Sequence, residues 1–302
     1  YGVIFSRLKE HLLAEKIGRL TSIDFHWYLN TYHGASYFRR WHGLRDNGGT
    51  LLVHKAAHHF DLLNWWIDSE PVEVHAYGGL EKYGHNNAFR GKRCMECPHT
   101  KECKFFWDMT KDQRLMDLYH ANEKYDGYIR DNCLWREEID IFDKMAVQIR
   151  YANDVQVSYS LTAYSPYEGF RVAFNGLDGR METWEGVPFL DAVQQDQSLL
   201  HAKEMDQTAH TETDVEYHEI ISQMKFEDFE SEKVPYIPKG PCGGDQVMFD
   251  VIFRGVVARP ELKHRAGVRD GAMSVLIGIA ARKSIDEGRP IRIADLTSLT
   301  PA

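Results

Sequence analysis

Two tight turns constrain this chain more than any other feature of its sequence. Strand-like runs at 145–151 and 155–163 are separated only by residues around Asn153-Asp154, and a second pair flanks Leu177-Asp178-Gly179-Arg180. Turns this short join antiparallel neighbours, because a parallel pair needs a crossover of roughly a dozen residues or more. Further strands are predicted at 20–29, where Leu20, Ser22, Asp24 and His26 alternate with Thr21, Ile23, Phe25 and Trp27, from Pro71 to about Tyr77, and at 214–224. A period of two sends one set of side chains to a core and the other away from it.

Helical patterns gather towards the two ends. Residues 3–16 place Ile4, Leu8, Leu12 and Leu13 on one stripe ahead of Gly18, and residues 55–67 are helical in length and content. Two more helices are expected at about 245–258 and 268–286, the second closing at Gly288-Arg289-Pro290. The segment 30–49, rich in Tyr, Gly, Arg and Asn, reads as a loop, and 186–212 is polar. The expected class is α+β: a largely antiparallel, open β-sheet with helices packed on one face. Residues 81–135 differ in being charged, aromatic and cysteine-bearing, and read as an insertion into a domain spanning 1–302. No Gly-x-Gly-x-x-Gly follows a strand, so the chain carries no dinucleotide-binding turn of its own.

A net charge of -9 with no Lys/Arg run argues against nucleic-acid binding. No apolar stretch is long enough to span a membrane, and the first residues lack the order of a signal peptide. Of five cysteines, four fall between 94 and 133, which favours metal ligation over a disulfide framework and suits a reducing, cytoplasmic compartment. Cys94-x2-Cys97-x5-Cys103 and Cys133 could hold a structural Zn²⁺ or, with four thiolates, an iron–sulfur cluster; free thiols are the third reading. Zinc is the favoured ligand, His99 is a spare donor, and Cys242 has no metal role.

His54, His58 and Asp61 recur at spacings of four and three, which puts them on one helix face. Three readings stay open for the histidines: an acid/base site, buried structural residues, or a His-x3-His metal pair lacking a protease glutamate. The preceding loop offers Tyr37, Arg39, Arg40, Trp41 and His42, whose rings and guanidinium forks suit sugar hydroxyls or carboxylates. Equally, that loop could be ordinary surface with Trp41 packed on the core.

Three stretches resemble the C-terminal domain of the Gfo/Idh/MocA (glucose-fructose oxidoreductase-like) family: Ala14–Asp24, Gly48–Trp66 with Pro71-Val-Glu-Val after it, and Asp270–Pro290. They span nearly the whole chain, although the cysteines lie outside the family pattern. The resemblance implies an NAD- or NADP-dependent oxidoreductase whose nucleotide-binding Rossmann domain precedes Tyr1 or sits on another chain. It also implies a sugar or polyol substrate and a homo-oligomer formed through the open sheet face. His58 matches the family's acid/base histidine. His54 stands where the family usually has Asp, so the proton relay would draw on Lys55 or His54. Tyr37, Arg40, Trp41 and Asp61 would bind substrate. Alternatives are a glycosidase-type member that oxidises its sugar transiently, and a non-catalytic, zinc-stapled sugar-binding or scaffold domain. The chain alone is expected to show no redox turnover.

Overall fold

The computed structural model describes residues 1–186, 217–235, 244–256 and 259–299. Cys242 and the polar stretch beyond 186 lie outside the described residues. Among the described residues, nine strands form one sheet: β1 (Leu20–Asn30), β2 (Pro71–Gly79), β3 (Lys144–Tyr151), β4 (Gln156–Ser165), β5 (Gly169–Gly176), β6 (Gly179–Glu185), β7 (Tyr217–Met224), β8 (Phe229–Pro235) and β9 (Ile291–Arg292). Their order is β8-β7-β6-β5-β1-β4-β3-β2-β9. Every neighbouring pair is antiparallel except β1 with β4. Both turns read from the sequence are present. Asp154 takes a left-handed φ of 65° between β3 and β4, and Asn153 Oδ1 accepts the Val155 N–H at 3.3 Å.

The helices are α1 (Val3–Leu13), α2 (Thr31–Arg39), α3 (Arg45–Gly48), α4 (Leu51–His54), α5 (Ala56–Ile67), α6 (Gln113–Leu118), α7 (Glu123–Asp126), α8 (Gly244–Arg254) and α9 (Val268–Glu287). Along β3 and β4 burial alternates residue by residue, so Met145, Val147, Ile149 and Tyr151 face the helices with Val157, Tyr159, Leu161 and Ala163. Phe25 on β1 sits at the centre of that face, with the rings of Trp27, His59, Trp66, Tyr159 and Phe170 at 5.6–6.2 Å. Such edge-on packing adds to the area that each ring buries. Lys9, nearly inaccessible on α1, donates to the Trp65 and Trp66 carbonyls at 2.6 and 3.3 Å, capping the C-terminal end of α5 with a cation. The other sheet face is polar. Asn175 donates to Ser22 and Asp24 at 3.0 and 3.2 Å, and Arg171 lies 4.6 Å from the Trp184 ring centre.

The segment 30–49 is largely helical, not a loop. Asn30 caps α2 by accepting the N–H groups of Tyr32 and His33 at 3.0 and 2.8 Å, a signal that the Gly and Tyr content around it masked. Gly34 is there for close approach: a Cβ would stand 1.7 Å from the Ala163 carbonyl oxygen of β4. Between β2 and β3, residues 80–143 hold only short helices and a single bridge, Arg93 to Asn132. Asp143, fully buried, clamps the start of this segment by accepting the N–H groups of Glu81, Lys82 and Tyr83 at 3.0, 2.6 and 3.1 Å. No described helix is long and apolar enough to cross a membrane.

Candidate substrate site and cysteine pocket

The Gly48-Gly49 pair ends α3 and reverses the chain. Gly49 is left-handed at φ 69°, and Thr50 follows at φ 80°, a strained conformation for a β-branched residue. Thr50 then caps α4 by accepting the Leu52 N–H at 3.3 Å. The helix breaks at Lys55 (φ -105°, ψ -49°) and resumes as α5, so His54 and His58 do not share one continuous helix. Lys55 nevertheless keeps right-handed helical angles, and the charges of His54, His58 and Asp61 still act on one another, while His54 is half-buried and His58 exposed.

His54 is half-buried within a set of rings: His42 at 4.7 Å, Trp41 at 5.5 Å and Tyr37 at 5.6 Å. Its Nδ1 is buried and makes no hydrogen bond. Burial first, then the charges of Arg40, His58 and Lys55, pull its pKa below the ordinary imidazole value, so the ring is neutral at pH 7. His42 is held in place by the Tyr37 carbonyl at 3.0 Å, and burial lowers its pKa to about 4. Arg40 reaches the Tyr128 hydroxyl at 3.4 Å. His58 is exposed on the first turn of α5. One turn on, Asp61 has its carboxyl pKa raised by burial and by Asp270, while His58 opposes that rise. His59, beside them in sequence, is a core residue bonded to the Tyr159 hydroxyl at 2.8 Å and stacked on Trp27 at 4.0 Å.

The structure thus gathers Tyr37, Trp41 and His54, adds His42 as a fourth ring, and leaves His58 and Asp61 as a neighbouring polar pair. The opposite face of α2 borders a cavity of about 450 Å³ lined by Tyr32, Ser36, Trp107, Tyr119 and Arg130 among others. This is within the usual size range of small-molecule sites. Arg130 is almost wholly buried, lies 4.9 Å from the Trp107 ring centre, and leaves Nε and Nη1 without hydrogen-bond partners. Sequence reasoning passed over Arg130, Trp107 and Tyr119, since nothing in their spacing marks them.

Cys94, Cys97, Cys103 and Cys133 come together around one small cavity and form no disulfide. Strand-like pairing does this: Cys94 N–H meets the Asp131 carbonyl at 2.9 Å, and Cys133 N–H meets the Lys92 carbonyl at 3.1 Å. Among the described residues, no three His, Cys, Asp or Glu side chains converge as ligands of one metal ion, so the expected zinc tetrahedron finds no support. His99, the spare donor, turns to Glu102 at 2.9 Å and stacks on Phe89.

An open, mostly antiparallel sheet with one layer of helices defines an α+β domain. The profile described as "Oxidoreductase family, C-terminal alpha/beta domain" matches residues 9–293. The chain belongs to that Gfo/Idh/MocA oxidoreductase family. It is 34% identical over 313 residues to YteT of Bacillus subtilis (strain 168), whose name provisionally marks it an oxidoreductase; the match covers 98% of this chain and 68% of YteT. Solved structures share the fold at low identity. A protein from Desulfitobacterium hafniense titled provisionally as an NADPH-dependent oxidoreductase aligns at 14% identity and TM-score 0.56, covering 97% of this chain and 62% of that one. Aldose-aldose oxidoreductase of Caulobacter crescentus aligns at 10% and 0.54, covering 96% and 61%. The super-repressor mutant Gal80(S2) of Gal80p from Saccharomyces cerevisiae aligns at 14% and 0.55, covering 98% and 63%. The chain spans about three-fifths of these solved relatives.

Proposed function

We propose that this chain is the substrate-binding part of an NAD(P)-dependent oxidoreductase acting on a sugar or polyol hydroxyl. The observation that carries this reading is the ring-lined setting of a neutral His54 with a free Nδ1, one helix break away from the exposed His58. Aromatic faces suit the C–H faces of a sugar, and a buried, unpartnered imidazole nitrogen suits one of its hydroxyls. The titles of two solved relatives name an aldose-aldose oxidoreductase and, provisionally, a myo-inositol dehydrogenase, in keeping with such a substrate.

The nicotinamide cofactor would accept the hydride; no Gly-rich strand–helix turn in this chain fits its pyrophosphate, so its cradle belongs outside these residues. The chain's own residues handle position and proton. His58 takes the hydroxyl proton, and the Asp61 carboxylate one turn away stabilises the imidazolium, in the role a carboxylate four residues earlier would otherwise serve. His54 and the Tyr37, Trp41 and His42 rings hold the substrate, with Arg40 and Lys55 at the rim. The polar outer face of the sheet is the surface through which subunits would associate.

The test is a panel of aldoses and polyols with NAD or NADP, using the protein together with its nucleotide-binding domain. His58→Ala is expected to lower kcat by about 10²–10⁴, with KM nearly unchanged. His54→Phe is expected to raise KM instead. Hydride transfer with no member of the panel, alongside ordinary sugar binding by this chain, would replace the oxidoreductase with a sugar-binding protein.

A further inference from the structure

We propose that Cys94, Cys97, Cys103 and Cys133 hold a [4Fe–4S] cluster, and that the four thiols are not ligands of a single shared ion. The first observation is their convergence. Four unpaired cysteines from two separate stretches line one pocket, and Phe89, Phe105, Phe106, Leu134 and Trp135 close it. Four thiols gathered in one apolar shell form the arrangement that a thiolate-held guest requires.

The second observation is what points at the sulfurs. Arg39 Nη1 and the Trp107 N–H donate to Cys94 Sγ, the former at 2.9 Å. The N–H groups of Gly91 and Trp135 donate to Cys133 Sγ at 3.5 and 3.4 Å, and the His99 N–H to Cys97 Sγ at 3.4 Å. Several N–H donors trained on sulfur stabilise thiolate, and hydrogen bonds to cluster sulfurs are a standard means of tuning iron–sulfur centres. Gly91 is shaped to this purpose: a Cβ there would stand 3.0 Å from Cys97 Sγ.

The third observation is size. A tetrahedral zinc site, with Zn–S near 2.3 Å, sets its sulfurs about 3.8 Å apart and leaves no space at its centre. Here the sulfurs border a cavity of about 10 Å³, the room of one water molecule, and no three ligands converge on a point. A cluster asks for the opposite arrangement from zinc, because each cysteine binds a different iron at the corner of a cube. Sulfurs bonded to a guest also approach it closer than van der Waals contact, so the core needs less void than its own volume.

The experiment is anaerobic purification of the full chain, followed by incubation with ferrous iron, sulfide and a thiol reductant. Expected are about four irons and four sulfides per chain, broad visible absorption, and a paramagnetic signal after dithionite reduction. Cys103→Ser should lose about half or more of the iron, while Cys242→Ser should keep all of it. Circular dichroism of Cys103→Ser, matched to the parent, separates a lost ligand from a lost fold. One zinc per chain without visible absorption would overturn the proposal, as would failure to take up iron and sulfide under these conditions.

Discussion

The sheet with its covering helices and the segment between β2 and β3 are stabilised by different physics. The sheet is secured by area: alternating apolar side chains and a ring cluster around Phe25, where many small contacts share the load. Residues 80–143 have little such area and rely on points. Asp143 holds the entry, Arg93 pairs with Asp131 at 2.5 Å and with Glu123 at 2.6 Å, and the cysteines close the pocket. A body held by area loses stability gradually under substitution, whereas a segment held by points should fail at single positions.

The largest expected effect therefore lies at one carboxylate. Asp143→Ala removes the acceptor shared by the N–H groups of residues 81–83, of which that of Tyr83 is buried, at about 2 kcal/mol or more in total. Limited proteolysis should cut within 81–135 while far-ultraviolet circular dichroism keeps its strand signal. Equal loss of both would show that the two regions unfold as one unit, and the contrast between them would fall.

That contrast also explains what was legible in the sequence. Period-two and period-3.6 patterns announced β1 and α1, and short turns announced β3 with β4 and β5 with β6, because burial on one side writes itself into spacing. The parallel pairing of β1 with β4 was not legible, since its crossover contains α2 through β3 and no local residue encodes it. α2 was hidden by a glycine kept for packing against β4. In the candidate site, His54, Tyr37 and Trp41 could be named from residue type, but the interruption of the helix at Lys55 and the burial of His54 depend on tertiary packing. The cysteine spacing foretold a meeting point correctly and its width not at all, because width is set by Gly91 and the apolar walls.

Acid should act on the body through two histidines. His42 beside the site and His264 beside α1 are both lowered by burial to a pKa of about 4. A histidine with a folded pKa below its unfolded value of 6.5 contributes stability that is present above pH 6.5 and is lost as pH falls towards 4. Denaturant midpoints should hold steady above pH 7 and drop between pH 6.5 and 4. Allowing for partial solvent access, His42 accounts for a loss on the order of 1 kcal/mol. His42→Gln should flatten that slope, and a slope unchanged by it would assign the acid response to His264 and other groups.

The smallest effect tests whether every polar point in the segment is stabilising. Arg130 sits between Trp107 and Tyr119, 4.9 and 5.7 Å from their ring centres, and its Nη2 reaches Ser36 Oγ at 3.4 Å. Its Nε and Nη1 have no hydrogen-bond partner, and the carboxylate next to it in sequence, Asp131, is engaged by Arg93. Burial and the nearby Arg40 and Arg39 charges all work against this cation. The ring contacts return about 1–2 kcal/mol, less than the several kcal/mol that desolvating an unpaired charge costs. Methionine has similar reach, carries no charge, and makes its own favourable contacts with aromatic rings. Arg130→Met should therefore raise the urea midpoint by an amount equivalent to about 1 kcal/mol. A fall of the same size would mean that the guanidinium–ring sandwich outweighs its desolvation, and that this segment is held by area around Trp107 as well as by points.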